Sequence, residues 1–189
     1  MQSAHPPRLG VVLAAGAGRR FGGPKILAAE GAWLRGAVAA LRDGGCDAVA
    51  VCMGAAVIDP PPGVLGIVVA DWADGLSASV QAALDEASLV GAAQVILHLI
   101  DLPDVTAPVI SRVLAAAGDG QSTLVRAAYD GRPGHPVVIG RAHWEPLGAD
   151  LIGDVGGRGY LAGHPALRLV ECGDLATGRD VDRVPQSEV

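Results

Sequence analysis

The chain has 189 residues, half of them hydrophobic but only 3% aromatic, with 18% charged and a formal net charge of −6. A single domain spanning 1–189 is expected, its core built from Ala, Val, Leu and Ile, which suits strands and helices packed in layers. The acidic balance speaks against nucleic acid or an anionic membrane as a partner, because either favours a basic face.

The opening "MQSAHPPRLG" has no positive region followed by an apolar one, and no apolar stretch approaches the roughly 20 residues of a membrane helix. Cys46, Cys52 and Cys172 show no CxxC spacing, so neither a disulfide framework nor a zinc knuckle is expected. A cytoplasmic location follows as the expectation, with Cys46 and Cys52 as ordinary core.

Along the chain, "LGVVLAA" (Leu9 to Ala15), "AVAVCMG" (Ala48 to Gly54), "LGIVVA" (Leu65 to Ala70) and "QVILHLI" (Gln94 to Ile100) are short apolar runs. Strands buried on both faces of a parallel sheet read this way. Between them, "AWLRGAVAALRDGG" and "LSASVQAALDEASL" carry apolar residues at helical spacing. The alternation predicts an α/β fold with a doubly wound, mainly parallel sheet. In the second half, "STLVRAAYDGRPGHPVVIGRAHW" reads as strand, turn and strand, an antiparallel excursion from that sheet. The polar tail after Cys172 is expected to end in a few disordered residues.

The first strand runs into "LAAGAGRRFGGPK", Leu13 to Lys25, at the carboxyl edge where open α/β sheets bind ligands. Amides of Gly16, Ala17, Gly18 and Arg19 can converge on phosphate oxygens there, with Arg20 and Lys25 supplying charge. A structural turn is the competing reading. Gly23-Pro24-Lys25-Ile26 is not a Walker A ending, and Phe21 stands where a dinucleotide fingerprint needs glycine. Further on, "VILHLIDLPDV" projects Asp101 from the same edge, as a hard oxygen ligand for magnesium or as a helix N-cap. His98 reads as a satisfied structural residue.

Taken together, these segments resemble the MobA-like nucleotidyltransferases. "LAAGAGRRFGGPK" is similar to their LAAGxGxRMGxxK signature, "DWADGLSAS" to GLSxSL, and "IDLPDV" to the GDMP strand end. "RPGHPVVIGR" and "GDVGGRGYL" resemble the PGHPVLF and GDxGAR segments of the branch that makes molybdopterin cytosine dinucleotide. The likeness runs in order from Val11 to Tyr160. It departs at Phe21, at Ile100 and in the closing segment, where "DVDRVPQ" stands for DIDTPED.

The resemblance implies transfer of CMP from CTP to a phosphorylated acceptor of the molybdopterin type, with release of pyrophosphate and Mg2+ as cofactor. It implies a nucleotide site at Leu13, Ala14, Ala15, Gly16, Ala17, Gly18, Gly75 and Ser77, and outer-phosphate contacts from Arg20 and Lys25. Ala15 replaces a glycine of guanylyl-transferring relatives, hence the pyrimidine. Asp101 and Asp182, or Asp180, would hold the metal, and His135, Asp154 and Arg158 would face the acceptor. For Ser77 and Asp154 a helix cap is the competing reading, and for His135 a packed loop. A molybdoenzyme or its chaperone is a further implied partner. Two alternatives stay open: an NAD(P)H-dependent oxidoreductase on the same fold, with Arg19 and Arg20 accepting a 2′-phosphate, and a catalytically silent nucleotide-binding partner of a molybdoenzyme.

Overall fold

A computed structural model describes residues 6–182. The expectation of disorder at the end of the tail lies outside these residues. Strands β1 (Arg8–Leu13), β2 (Ala48–Met53), β3 (Val64–Val68), β4 (Gln94–Leu99), β5 (Leu124–Tyr129), β6 (Arg132–Gly140) and β7 (Arg168–Glu171) form one sheet in the order β3-β2-β1-β4-β6-β5-β7. Only β6 opposes its neighbours, pairing antiparallel with both β4 and β5. The α/β class, the parallel half and the antiparallel excursion are therefore as read from the sequence.

Helices cover both faces because strands buried on two sides need two apolar layers. On one face, α1 (Ala32–Asp43) and α3 (Ala107–Ala117) pack Leu34, Val38, Leu41, Ile110 and Val113 against Val12, Val51 and Ile96. On the other, α2 (Leu76–Leu89), α4 (Trp144–Asp150) and α5 (Arg158–Leu161) set Val80, Leu84, Leu147 and Leu161 on Val11, Val95 and Val137. Alternate residues of one strand thus serve opposite layers, as the period of two requires. Cys46 and Cys52 are buried on opposite faces, and burial pushes each thiol up to about 12. They are inert core. No helix among the described residues is long and apolar enough to cross a membrane.

Two features lie outside the pattern of apolar runs. β7 adds a parallel edge strand beyond β5, and the segment after it returns across the sheet end. Thr177 donates its backbone N–H and its hydroxyl to Asp104 Oδ2, and Val181 N–H donates to the Asp101 carbonyl at 3.0 Å. The tail is thereby tied to the carboxyl end of β4.

Candidate active site

β1 ends at Leu13, and the chain turns at once into the glycine loop. Its shape is fixed at Gly18, whose φ of 59° lies in the left-handed region and whose carbonyl accepts the N–H groups of Phe21, Gly22 and Gly23. A methyl at Gly18 would stand 1.9 Å from the Gly23 carbonyl oxygen, so only glycine fits. Among the described residues, no protein acceptor serves the amides of Gly16, Ala17, Gly18 or Arg19. Four such donors at the end of a parallel strand suit an anion. Phe21, the departure from methionine, leans on Trp33 with ring centroids 5.1 Å apart, and Lys25 Nζ lies 5.9 Å from its ring centre.

The loop forms one wall of a cleft of about 510 Å3. Leu13, Ala14, Ala15, Gly16, Ala17, Gly18, Lys25, Gly75, Asp101 and Asp154 all line it. Arg20 does not. Its side chain is 86% exposed and reaches Asp182 at 3.9 Å.

Opposite the loop, Gly75 and Asp154 meet. Gly75 has φ 111°, and a Cβ there would stand 2.4 Å from Asp154 Oδ1, so this contact also requires glycine. Gly75, not Ser77, occupies the N-cap position of α2. Ser77 is buried inside the first turn with its hydroxyl unpartnered and does not line the cleft. Ser79 does line it, as does Leu76 one turn earlier. Helical spacing from Gly75 singles out Ser79, because residues three and four apart share a face. Asp154 caps no helix at Val155: it sits in a single 3-10 turn, Gly153–Val155, and α5 begins only at Arg158. Arg19, Trp72, Ala73, Leu99 and Ile100 complete the lining, and the last four carry no polar signal in the sequence.

Asp101 is likewise no helix cap, since Thr106 holds that position for α3. Its carboxylate instead meets the tail. One oxygen from each of Asp101, Asp180 and Asp182 lies within 4.8 Å of the others. The altered closing segment therefore keeps its acids at the end of β4. Lys25 Nζ donates to Asp101 Oδ2 at 2.8 Å and to Asp182 Oδ1 at 3.1 Å. That hydrogen bond, and then the lysine's charge, hold Asp182 below the usual carboxylate range. Burial opposes the Lys25 ammonium, but the two carboxylates outweigh it and raise its pKa. Asp101 Oδ1 is buried with no partner among the described residues. Carboxylate oxygens gathered in this way, one of them unsatisfied, fit a hard divalent cation.

His135 and Arg158 lie beyond the cleft lining. His135 precedes Pro136 through a cis peptide bond, and its backbone carbonyl accepts from the Tyr129 hydroxyl at 2.7 Å. Burial depresses its imidazole to about 3, with Arg126, His98 and Arg158 adding in the same direction. His98 is fully buried on β4, and neither ring nitrogen has a partner among the described residues. It is core as expected, but it is not satisfied. Val12 stands beside it in the register of β1 and Ile96 precedes it by two residues on its own strand, and both are apolar.

Comparison with known proteins agrees with this geometry. The chain is 33% identical over 196 residues to nicotine blue oxidoreductase of Paenarthrobacter nicotinovorans, covering 94% of this chain and 93% of that protein. Its fold matches the crystal structure of the Rv0371c homologue from Mycobacterium sp. strain JC1, with TM-score 0.77 and 31% identity over 93% of this chain and 90% of that one. Rv0371c of Mycobacterium tuberculosis, solved as a manganese complex, shares the fold at TM-score 0.71 and 24% identity, covering 93% and 94% of the two chains. The MobA-like NTP transferase domain model matches residues 10–169, strand β1 through to β7, and the chain belongs to that nucleotidyltransferase family.

Proposed function

We propose that the protein transfers CMP from CTP to a phosphorylated acceptor of the molybdopterin type. The observation that carries the reading is the meeting of three carboxylates with Lys25 beside a loop of unpaired amides. The outer phosphates of a triphosphate lying in the cleft would accept hydrogen bonds from those amides and from Lys25, with Arg20 adding charge at the rim. Gly75 and Ser79, rather than the buried Ser77, would face the base and ribose, and Ala15 would limit the room for a purine. Asp101 and Asp182, with Asp180 beside them, would hold Mg2+, a reading that the manganese complex of Rv0371c supports. When bound, the metal would offset negative charge on phosphate oxygens.

In the reaction, an oxygen of the acceptor phosphate forms a bond to the α-phosphorus while the bond from that phosphorus to the β-phosphate oxygen breaks. Pyrophosphate leaves, and no protein nucleophile is required. Catalysis then rests on positioning and on charge. His135, Asp154 and Arg158 would orient the acceptor, and a molybdoenzyme or its chaperone would receive the product. A cytoplasmic site of action goes with this reading.

A second reading is favoured by one observation, the relative that carries the name of an oxidoreductase. On that reading the same loop would hold an NAD(P)H pyrophosphate. A carboxylate cluster is not something hydride transfer requires. The test incubates the protein with Mg2+, molybdenum cofactor and each NTP in turn, following pyrophosphate release and NAD(P)H absorbance in parallel. Pyrophosphate release with CTP above GTP is expected. Absorbance loss without pyrophosphate would transfer the assignment to the redox reading.

A further inference from the structure

Arg126 is a charge without a counter-charge. It sits on β5 opposite Val137 of β6, on the sheet face that carries α2, α4 and α5. Its Nε donates to the Gly134 carbonyl at 2.7 Å, which holds the guanidinium against the residue before His135. Among the described residues, neither of its terminal nitrogens has a hydrogen-bond partner and no carboxylate pairs with it. Half-burying a cation in this way is costly unless something anionic meets it.

The neighbouring charge makes the position worse. Burial lowers the Arg126 pKa, and the Arg158 guanidinium lowers it further. Arg158 opens α5, four residues after Asp154 of the cleft wall, and no ion pair among the described residues joins it to that acid. His135 lies close enough to feel both arginines, and it stays neutral, so it adds no third charge while keeping hydrogen-bonding nitrogens. The unpaired fork of Arg126, the neutral imidazole of His135 next to the Gly134 carbonyl it holds, and the charge of Arg158 that reaches both suit an oxyanion.

The patch also lies in line with the cleft. β6 neighbours β4 in the sheet, and the register Leu97 with Val137 and Val95 with Ile139 brings the start of β6 beside the end of β4, where Leu99 lines the cleft and Asp101 follows. One strand spacing, about 5 Å, separates the two strands. An anion held by the Arg126 fork therefore lies beside β6, the strand next to the one that ends at the cleft.

We propose that Arg126 and Arg158, with His135 beside them, form an oxyanion subsite for the acceptor, taking a phosphate or carboxylate group on the Asp154 side of the cleft. The role of acceptor site rests on the nucleotidyltransferase reading; the existence of the subsite does not. Arg126 escapes a reading of the sequence because an isolated arginine inside an apolar strand carries no motif.

The test titrates inorganic phosphate and, separately, acetate into the protein, free and saturated with a non-hydrolysable CTP analogue plus Mg2+. Phosphorus line broadening and calorimetry are the readouts. Phosphate is expected to bind with the analogue in place. Arg158→Gln, exposed and safe for folding, and Arg126→Gln should each weaken it about tenfold, the loss of one charge-assisted hydrogen bond. Analogue affinity should stay within about twofold, since neither arginine lines the nucleotide cleft. Stronger binding of acetate than of phosphate would identify the group as a carboxylate. Equal phosphate and acetate binding by wild type and both variants, or no binding by wild type of either anion, would overturn the subsite. Failure of the analogue to bind, with phosphate binding still sensitive to Arg158, would instead remove the nucleotidyltransferase reading and leave the subsite standing.

Discussion

Lys25 Nζ lies 2.8 Å from Asp101 Oδ2, so the cation of the glycine loop rests on the carboxylate at the end of β4. The same nitrogen reaches Asp182 at 3.1 Å and thereby links loop, strand and tail. An ammonium in this place neutralises acids that a divalent cation would also neutralise. On the proposed function, nucleotide and metal would therefore act on one residue: the metal would compete for its carboxylates, and the triphosphate would receive the lysine so released.

This relationship makes Lys25→Met informative in two directions. With the ammonium gone, Mn2+ binding in the absence of nucleotide should strengthen, because three acids are left facing one another. Triphosphate binding should weaken by about 1.5–3 kcal/mol, the worth of a charge-assisted hydrogen bond, with monophosphate little changed. Calorimetry with Mn2+, CMP, CDP and CTP checks both. A uniform loss across the three nucleotides would show that Lys25 does not read the outer phosphates.

The two acids should differ in consequence. Asp101 is the more enclosed, with 18% of its side chain exposed against 47% for Asp182, and Asp180 stands by as a third oxygen donor. Asp101→Asn is expected to abolish turnover, and Asp182→Asn to lower it less and to shift the magnesium requirement upward. Both proteins should fold, as neither acid belongs to the apolar layers. Turnover measured against Mg2+ concentration decides the point: wild-type behaviour of Asp182→Asn would move the second ligand to Asp180.

Gly18 offers a test of the loop itself. Its left-handed φ and the 1.9 Å approach of a would-be Cβ to Gly23 mean that Gly18→Ala must open the turn. A cost of about 1–3 kcal/mol for a strained residue is expected, concentrated in the loop. Triphosphate affinity should fall by more than about tenfold while the melting temperature drops only a few degrees. Unchanged affinity would mean that the amides of Gly16 to Arg19 are not the cradle.

Much of this site is legible in the amino-acid sequence, for a physical reason. Short, continuous apolar runs place β1 and β4 in the sheet centre, and whatever follows such strands must emerge at the ligand-binding edge; Gly18, Lys25 and Asp101 stand out on that ground. The return of the tail is less visible. β7 is four residues with an exposed pattern, and Val181 joins Asp101 through backbone atoms, which leave no trace in side-chain type. The family likeness supplies Asp180 and Asp182 where periodicity does not. Ser77 against Ser79 and the unmarked Arg126 show the opposite limit: a motif marks a segment, and only the helix turn or the strand register tells which of its residues face the ligand.

His98 has a buried ring with neither nitrogen partnered among the described residues. Burial alone depresses its pKa from 6.5 to about 4. The unfolded chain regains the ordinary value, so between pH 6.5 and pH 4 the unfolded state binds the proton and the folded state refuses it. Stability must therefore fall as pH falls through that window, and the full contribution is present above it. A shift of this size amounts to on the order of 3 kcal/mol by the bottom of the window. His135, depressed to about 3, works in the same direction. Paired carboxylates such as Asp182 also lose stabilisation in acid, so the informative quantity is the difference between wild type and a variant that lacks the His98 proton site. His98→Leu removes the two unsatisfied nitrogens and should be at least as stable as wild type at about pH 7. Urea unfolding at several pH values between about 7.5 and 4.5 should then give a shallower decline for His98→Leu than for wild type. Parallel curves would mean that His98 finds a partner on protonation and that its burial costs nothing in acid.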